Sequence, residues 1–179
     1  MFFLHEKVVY PGHGVAKISR IVEKKVGGNN VKFFELSFLN KDMTILIPTE
    51  TIVQTGIRGL SSVKNIKDMF QMLSVPSKRG IQELTSANWN KRNKEYQLRL
   101  RSGNLREIGK VYQDLKCISQ YKELSFGEKN LLHQTEILLA QEISIVHKME
   151  ENKAIEYLRS FFSTTEMGSR MKDPVASGL

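Results

Sequence analysis

Cysteine, histidine and long apolar segments are scarce in this sequence, and each scarcity argues against a class of protein. The single cysteine, Cys117, cannot form an internal disulfide in this chain of 179 residues, which is typical of a reducing compartment. The four histidines show no ligand spacing with it, which argues against a zinc site. The apolar run at the N-terminus ends at His5, too early for a signal sequence or a membrane span. We therefore expect a cytoplasmic protein without a metal or other cofactor.

Signatures of catalysis are also missing. The segment 11–14 (PGHG) is too short for a phosphate-binding loop and lacks the Lys-Ser/Thr pair of such a loop. The residues after it predict a strand, whereas a phosphate-binding loop is followed by a helix. The nucleophile motif Gly-x-Ser-x-Gly does not occur either. The sequence predicts that the protein is not an enzyme.

Positive charge is what the sequence has in excess. The formal net charge is +8 and the sequence pI is about 9.6, which favours acidic partners such as nucleic acid or anionic lipid. The excess is concentrated in residues 91–110, where seven Lys and Arg residues meet only Glu95 and Glu107. This segment is the first candidate for a nucleic-acid contact.

The first third of the chain has the pattern of short β-strands. Apolar and β-branched runs alternate there with clusters of Gly, Pro and Asn, which are turn residues. The predicted strands are residues 7–10, 15–23, 31–39 and 43–47, with a hairpin at 24–30. Several short antiparallel strands within about fifty residues are most economically a small closed or half-closed β-barrel.

Helical periodicity replaces this pattern near residue 61. Asn104 is a candidate N-cap, and Ser125 with Glu128 three residues later forms a candidate capping box. The predicted helices are residues 62–73, 81–102, 105–121, one from Ser125 through Val146, and about 153–162. The sequence thus predicts an α+β fold, with a β module over residues 1–60, a bundle of about five helices over 61–163, and a disordered tail over 164–179.

Residues 88–101 (NWNKRNKEYQLRLR) combine the only tryptophan with five cations and one acid. In a helix, Trp89, Tyr96 and Leu100 share one side. A rigid aromatic set among cations suits nucleic acid, because the cations neutralise phosphate while the ring wedges against bases. The alternative is an amphipathic helix in which Trp89 anchors a core. The residues alone leave both interpretations open.

Four motifs in a fixed order resemble the CarD/CdnL family of bacterial transcription regulators. They are residues 8–15 (VVYPGHGV) and 43–48 (MTILIP) in the β module, and 88–92 (NWNKR) and 124–129 (LSFGEK) in the helical module. The resemblance runs from about Phe3 to about Glu142. The β module alone also resembles the N-terminal module that this family shares with transcription-repair coupling factor.

The resemblance implies that the β module is Tudor/SH3-like and docks on the lobe of the RNA polymerase β subunit, partly by strand pairing. In the family, some members carry an arginine where this chain has Leu46, so an apolar contact would replace a salt bridge there. The positions that match the family's polymerase contacts are Lys24, Lys25, Val26, Thr44, Ile45, Leu46, Ile47 and Pro48.

For the helical module, the resemblance implies contact with promoter DNA at the upstream edge of the melted region. Trp89 matches a tryptophan that wedges into the minor groove, and the basic positions near the phosphates match Lys91, Arg92, Lys94 and Lys129. The next position is often basic in the family but is Asn130 here. The expected protein is a monomer that stabilises the open complex with weak sequence preference. The alternatives are a free-standing non-specific DNA-binding protein, or a protein-only adaptor of the polymerase or repair machinery.

Overall fold

A computed structural model describes residues 2–77, 79–86 and 88–162 of the chain. The strands are β1 Lys7–Tyr10, β2 Gly14–Val26, β3 Asn29–Phe38, β4 Thr44–Pro48 and β5 Arg58–Gly59. The helices are α1 Val63–Leu73, α2 Ile81–Ser86, α3 Trp89–Arg101, α4 Leu105–Tyr121, α5 Phe126–Val146 and α6 Glu151–Ser160. The predicted α+β fold, with an N-terminal β domain followed by helices, is confirmed. The predicted disordered tail, residues 164–179, lies outside the described residues.

The five strands form one antiparallel sheet in the order β4-β3-β2-β1-β5. Its core contains the alternate residues Phe34, Leu36 and Phe38 of β3, as their period-two pattern predicts. The hairpin between β2 and β3 is tighter than predicted, because Gly27 and Gly28 both adopt positive φ and close it in two residues. Within the described residues, β4 and β5 are the two edges of the sheet.

Local capping signals fix where most helices begin. The side chains of Ser62 and Asn104 cap α1 and α4, and Ser125 with Glu128 forms the predicted capping box of α5. The apolar faces of these helices meet in one core that includes Ile66, Phe70, Val111, Tyr112, Leu115, Leu139 and Ile143. α5 also packs on β2, so the helices contact the sheet directly.

The prediction of one long helix over residues 81–102 is wrong. α2 ends at Ser86 and α3 begins at Trp89, because the side chain of Asn88 accepts a hydrogen bond from the backbone N–H of Asn90 at 3.0 Å. An Asn side chain that caps a helix satisfies its first N–H groups and so favours a start at that point. The break places Trp89 at the beginning of α3 rather than in the middle of a helix.

Candidate nucleic-acid and polymerase interfaces

The indole ring of Trp89 lies against the first turn of α5. A Cβ atom added to Gly127 would come within 3.0 Å of Trp89 Cζ2 and within 3.3 Å of its Nε1. A Cβ atom at this position would therefore push the ring away from the helix backbone by a few tenths of an ångström, so the glycine permits the close approach. The ring is half-buried and also packs on the edge of the helical core. Trp89 is thus seated on one side while part of its surface remains exposed.

Arg92 is buried. This position differs from the expectation that Arg92, like Lys91 and Lys94, faces the phosphates of DNA. Only 5% of the residue is exposed, and its Nη2 donates to Glu128 Oε1 at 2.9 Å. The guanidinium carbon is also 5.7 Å from the centroid of the Trp89 ring, within cation–π range. Arg92 turns inward because Glu128 of α5 compensates its charge there. In this position it supports Trp89 rather than facing solvent.

Glu128 joins three segments of the helical module through one buried carboxylate. Besides Arg92, it accepts the backbone N–H of Ser125 at 2.9 Å and lies 3.3 Å from Lys122 Nζ. Burial alone would raise the pKa of Glu128, but these hydrogen bonds outweigh burial and hold the pKa below its ordinary value. The carboxylate is therefore charged at neutral pH and fixes the start of α5 relative to α3.

Lys91 and Lys94 are exposed on α3, within five residues of Trp89. Across the part of the chain that the structure describes, no ion pair engages either ammonium group. Their charge is therefore available to an anionic partner. The structure thus keeps two of the predicted cations on the same helix as the half-exposed ring.

Lys129 is exposed near the start of α5 and its Nζ lies 2.8 Å from Glu123 Oε1. Residues two apart in a helix project about 200° apart. Lys129 and the Gly127 seat of Trp89 therefore lie on nearly opposite sides of α5. Of the predicted DNA contacts, Trp89 and Lys129 therefore lie on either side of the N-terminus of α5 and do not form one cluster.

Phe126 is a candidate that the sequence reasoning missed. It is the first residue of α5, it precedes Gly127, and 81% of its surface is exposed. A large exposed aromatic beside the seat of Trp89 extends the apolar surface there. The sequence did carry a signal that Phe126 is exposed, because it does not share a helical face with the core residues Leu131 and Leu138 of α5.

The predicted polymerase positions lie in two places on the β module. Lys24, Lys25 and Val26 end β2 at the exposed tip of the hairpin, where Val26 is 53% exposed. Among the strands that the structure describes, β4 pairs only with β3, so its other side is an edge of the sheet. An edge strand offers backbone N–H and C=O groups to an added strand.

Side chains of β4 point to two faces, so the predicted contacts are not equivalent. Ile47 is buried in the core of the β module and Ile45 packs against that core. Leu46 points to the opposite face and lies across from Glu35 of β3, which pairs with Arg20 at 2.8 Å. Leu46, Thr44 and Pro48 are therefore the side chains that this face can present, while Ile45 and Ile47 shape the strand from inside.

Cys117 and His13 both pack against neighbouring side chains in the structure. Among the described residues, no group of three His, Cys, Asp or Glu side chains is arranged to hold a metal ion. Cys117 is partly buried beside Leu84 and Ile118, and burial, with the charge of Asp114, raises the pKa of its thiol. His13 packs edge-on against Tyr10 with ring centroids 5.0 Å apart.

In the same described part of the chain, no helix has the length and apolarity needed to cross a bilayer.

Two family models match the chain. The model of the CarD-like/TRCF RID domain matches residues 4–61, and the model of the CarD C-terminal domain matches residues 70–159. The Bacillus subtilis (strain 168) protein named "Putative transcription factor YdeB" is 24% identical over 153 residues, which cover 86% of this chain and 97% of that protein.

These matches define the class as a two-module protein of transcription, since domains of the CarD-like/TRCF RID type interact in general with RNA polymerase. The chain belongs to the CarD family. The resemblance carried by the four sequence motifs is confirmed. Both the family and the relative support a role in transcription and point to a transcription factor rather than an enzyme.

Proposed function

We propose that the protein bridges RNA polymerase and promoter DNA. Residues 1–60 bind the lobe of the β subunit, and the helical module binds DNA at the upstream edge of the transcription bubble. The complex that contains both partners is the open promoter complex. Binding at its fork stabilises the melted state without a chemical step.

The observation that carries this proposal is the seat of Trp89. The ring is held by Gly127 and Arg92, part of it is exposed, and Lys91 and Lys94 lie on the same helix. Minor-groove proteins kink DNA with apolar wedges flanked by cations. A ring that is fixed before binding loses little conformational freedom on insertion. The arrangement therefore suits a wedge at partly unstacked base pairs.

The N-terminus of α5 supplies the second part of the DNA contact. The helix dipole favours phosphate at this end, and Lys129, whose exposed pairing with Glu123 a phosphate can replace, lies on the side opposite Trp89. The exposed ring of Phe126 lies at the same end. DNA that contacts this end of α5 would be touched by Trp89 on one flank and by Lys129 on the other.

The polymerase contact uses the edge strand β4 and the tip of the β2–β3 hairpin. Backbone groups of β4 supply strand pairing, while Leu46 offers an apolar contact and Lys24 and Lys25 offer charge. The position of Leu46 across from the Arg20–Glu35 pair gives this face a mixed apolar and charged character.

Stabilisation follows from linkage. A wedge that fits only distorted DNA binds the open complex better than the closed one, so it shifts the equilibrium toward the open complex. A difference in binding free energy of about 1.4 kcal/mol changes the ratio of open to closed complex tenfold. Because every promoter bubble has a fork, we expect weak sequence preference.

Omission of polymerase tests the bridge against a free-standing DNA-binding protein. We expect the protein to bind a fork-junction promoter fragment on the order of a hundredfold tighter in the presence of polymerase, because the second contact becomes intramolecular. The Lys24→Glu/Lys25→Glu variant should lose most of this gain. Equal affinity with and without polymerase would contradict the bridge and favour the free-standing alternative.

A further inference from the structure

One buried carboxylate on α5 joins the helical module to the β module. Glu142 is 2% exposed and accepts from Arg58 of β5 twice, at 2.6 Å from Nη1 and 2.8 Å from Nη2. The same carboxylate accepts the backbone N–H of Ser61 at 2.7 Å. The Nε of Arg58 donates to the carbonyl of Gly103, between α3 and α4, at 2.6 Å. One guanidinium thus contacts two separate parts of the helical module.

Close backbone contacts surround this ion pair. The N–H of Val15 donates to Gln141 Oε1 at 3.3 Å, and a Cβ atom added to Gly14 would come within 2.2 Å of that oxygen. A Cβ atom added to Gly103 would come within 3.0 Å of the Pro11 ring. Asn40 and Glu151 form a further hydrogen bond between the modules at the surface. The interface therefore involves the β1–β2 turn, β2, the β3–β4 loop and β5 on one side, and the α3–α4 turn, α5 and α6 on the other.

A bidentate pair between a guanidinium and a carboxylate constrains angle as well as distance. Arg58 has three of its nitrogens in hydrogen bonds across the interface, so a rotation of one module against the other would break several at once. A buried carboxylate that loses its cation becomes unfavourable, which opposes partial opening. This geometry differs from a flexible linker, for which only effective concentration couples the two domains.

We propose that Arg58 and Glu142 are positioning residues that lock the two modules at one angle, so that the protein is a rigid bridge. The consequence for transcription rests on the proposed function. If polymerase holds the β module, a locked angle brings Trp89 to a defined point at the fork. If the angle were free, the ring would visit that point only part of the time, and the stabilisation of the open complex would fall.

The lock can be measured without polymerase or DNA. In a Cys117→Ser background, spin labels at Val53 of the β module and Tyr121 of the helical module, which are 77% and 67% exposed, report the distance between the modules. We expect one narrow distance distribution for the parent protein and a broad one for Glu142→Gln and for Arg58→Lys. The Arg58→Lys variant keeps the positive charge but cannot make the bidentate pair with the carboxylate. Arg20→Lys, at an exposed ion pair within the β module, is the matched control and should keep the narrow distribution.

Three functional measurements complete the test. Affinities of Glu142→Gln for the isolated β lobe and for fork-junction DNA should stay within about twofold of the parent, as expected for independent sites. The extension of open-complex lifetime should be mostly lost. A short thiol crosslinker between Asn40→Cys and Glu151→Cys, in the background of Glu142→Gln and Cys117→Ser, should restore it, which loss of folding alone would not allow.

Each outcome bears on one claim. A narrow distribution in both Glu142→Gln and Arg58→Lys would overturn the lock. A broad distribution with an unchanged open-complex lifetime would overturn the need for rigidity. If the parent protein does not extend the lifetime, the proposed function fails while the distance measurement still decides the lock. If Glu142→Gln does not fold by circular dichroism, Arg58→Lys carries the same comparisons.

Discussion

Arg92 of α3 and Glu128 of α5 form a buried ion pair, 2.9 Å apart, beside the ring of Trp89. Neither residue has access to DNA in this position, yet both determine where the ring lies. Gly127 completes the support because its missing side chain leaves room for the indole. The candidate DNA interface therefore depends on an interior pair and a glycine as much as on its exposed cations.

Replacement of Glu128 should destabilise the helical module. Glu128→Gln leaves the buried charge of Arg92 without its carboxylate, so we expect a loss of about 3 kcal/mol in the free energy of unfolding. Urea denaturation followed by circular dichroism measures this loss. Glu123→Gln, at an exposed ion pair, is the control and should leave the unfolding curve unchanged. Equal stability of the two variants would contradict the role given to Glu128.

The same pair predicts a pH dependence with a defined sign. Since the folded state holds the pKa of Glu128 below its ordinary value of 4.5, folding favours the charged carboxylate. Its contribution is then present above pH 4.5 and is lost as the pH falls through the folded pKa. We expect the difference in unfolding free energy between the parent protein and Glu128→Gln to be full at pH 7 and to shrink below pH 4.5. A difference that stays constant down to pH 3 would contradict this assignment.

Gly127→Ala should displace the ring of Trp89 without unfolding the protein. The added Cβ would lie 3.0 Å from Cζ2, so the indole must move. Ala is the better helix former by up to about 1 kcal/mol, which offsets part of the strain. Because Trp89 is the only tryptophan, its fluorescence emission should shift to the red and the open-complex lifetime should fall.

Gly80→Ala is the matched control for this variant. In the described part of the chain, no atom lies within 4 Å of the Cβ position at Gly80. We expect its emission spectrum and open-complex lifetime to equal those of the parent protein. An unchanged spectrum in Gly127→Ala would show that the ring does not depend on this seat.

Charge reversal at Lys94 should weaken DNA binding in a salt-dependent way. Removal of one phosphate contact lowers the slope of log affinity against log salt concentration by about 1. Lys153→Glu makes the same change in net charge on the exposed surface of α6 and should leave the slope unchanged. The same slope for Lys94→Glu and the parent protein would remove Lys94 from the interface.

The hairpin lysines should affect polymerase and not DNA. Lys24→Glu with Lys25→Glu reverses two exposed charges at the end of β2, far in sequence from α3. We expect weaker capture of the isolated β lobe in a pull-down and unchanged affinity for fork-junction DNA. Lys64→Glu with Lys153→Glu, two exposed positions on α1 and α6, controls for net charge. Capture at the level of the parent protein would place the polymerase contact elsewhere.

Much of the fold could be predicted because its signals are local. Ser62, Asn104 and the pair Ser125 and Glu128 mark helix starts within three residues of themselves. The glycines of the β2–β3 hairpin and the alternation of β3 are local in the same way. Asn88 carried a similar signal, but the continuous helical pattern around it favoured one long helix.

What could not be predicted depends on partners distant in the chain. In the sequence, Arg92 is one of five cations in residues 88–101, and only the position of Glu128, 36 residues later, turns it inward. Arg58 and Glu142 are 84 residues apart, so no sequence pattern brings them together. The sequence also left Trp89 open between a wedge and a core anchor. The structure places it between these extremes, half-buried on a glycine seat.

The central claim is that Trp89 acts at the fork of the open complex, and open-complex lifetime on one promoter measures it most directly. Challenge with a competitor after complex formation gives this lifetime without protein, with the parent protein and with Trp89→Ala. We predict that the parent protein extends the lifetime and that Trp89→Ala folds, retains its affinity for the β lobe, and loses the extension. A folded Trp89→Ala variant that extends the lifetime as well as the parent protein would contradict the account, and one that unfolds the helical module would favour a core anchor in a protein-only adaptor.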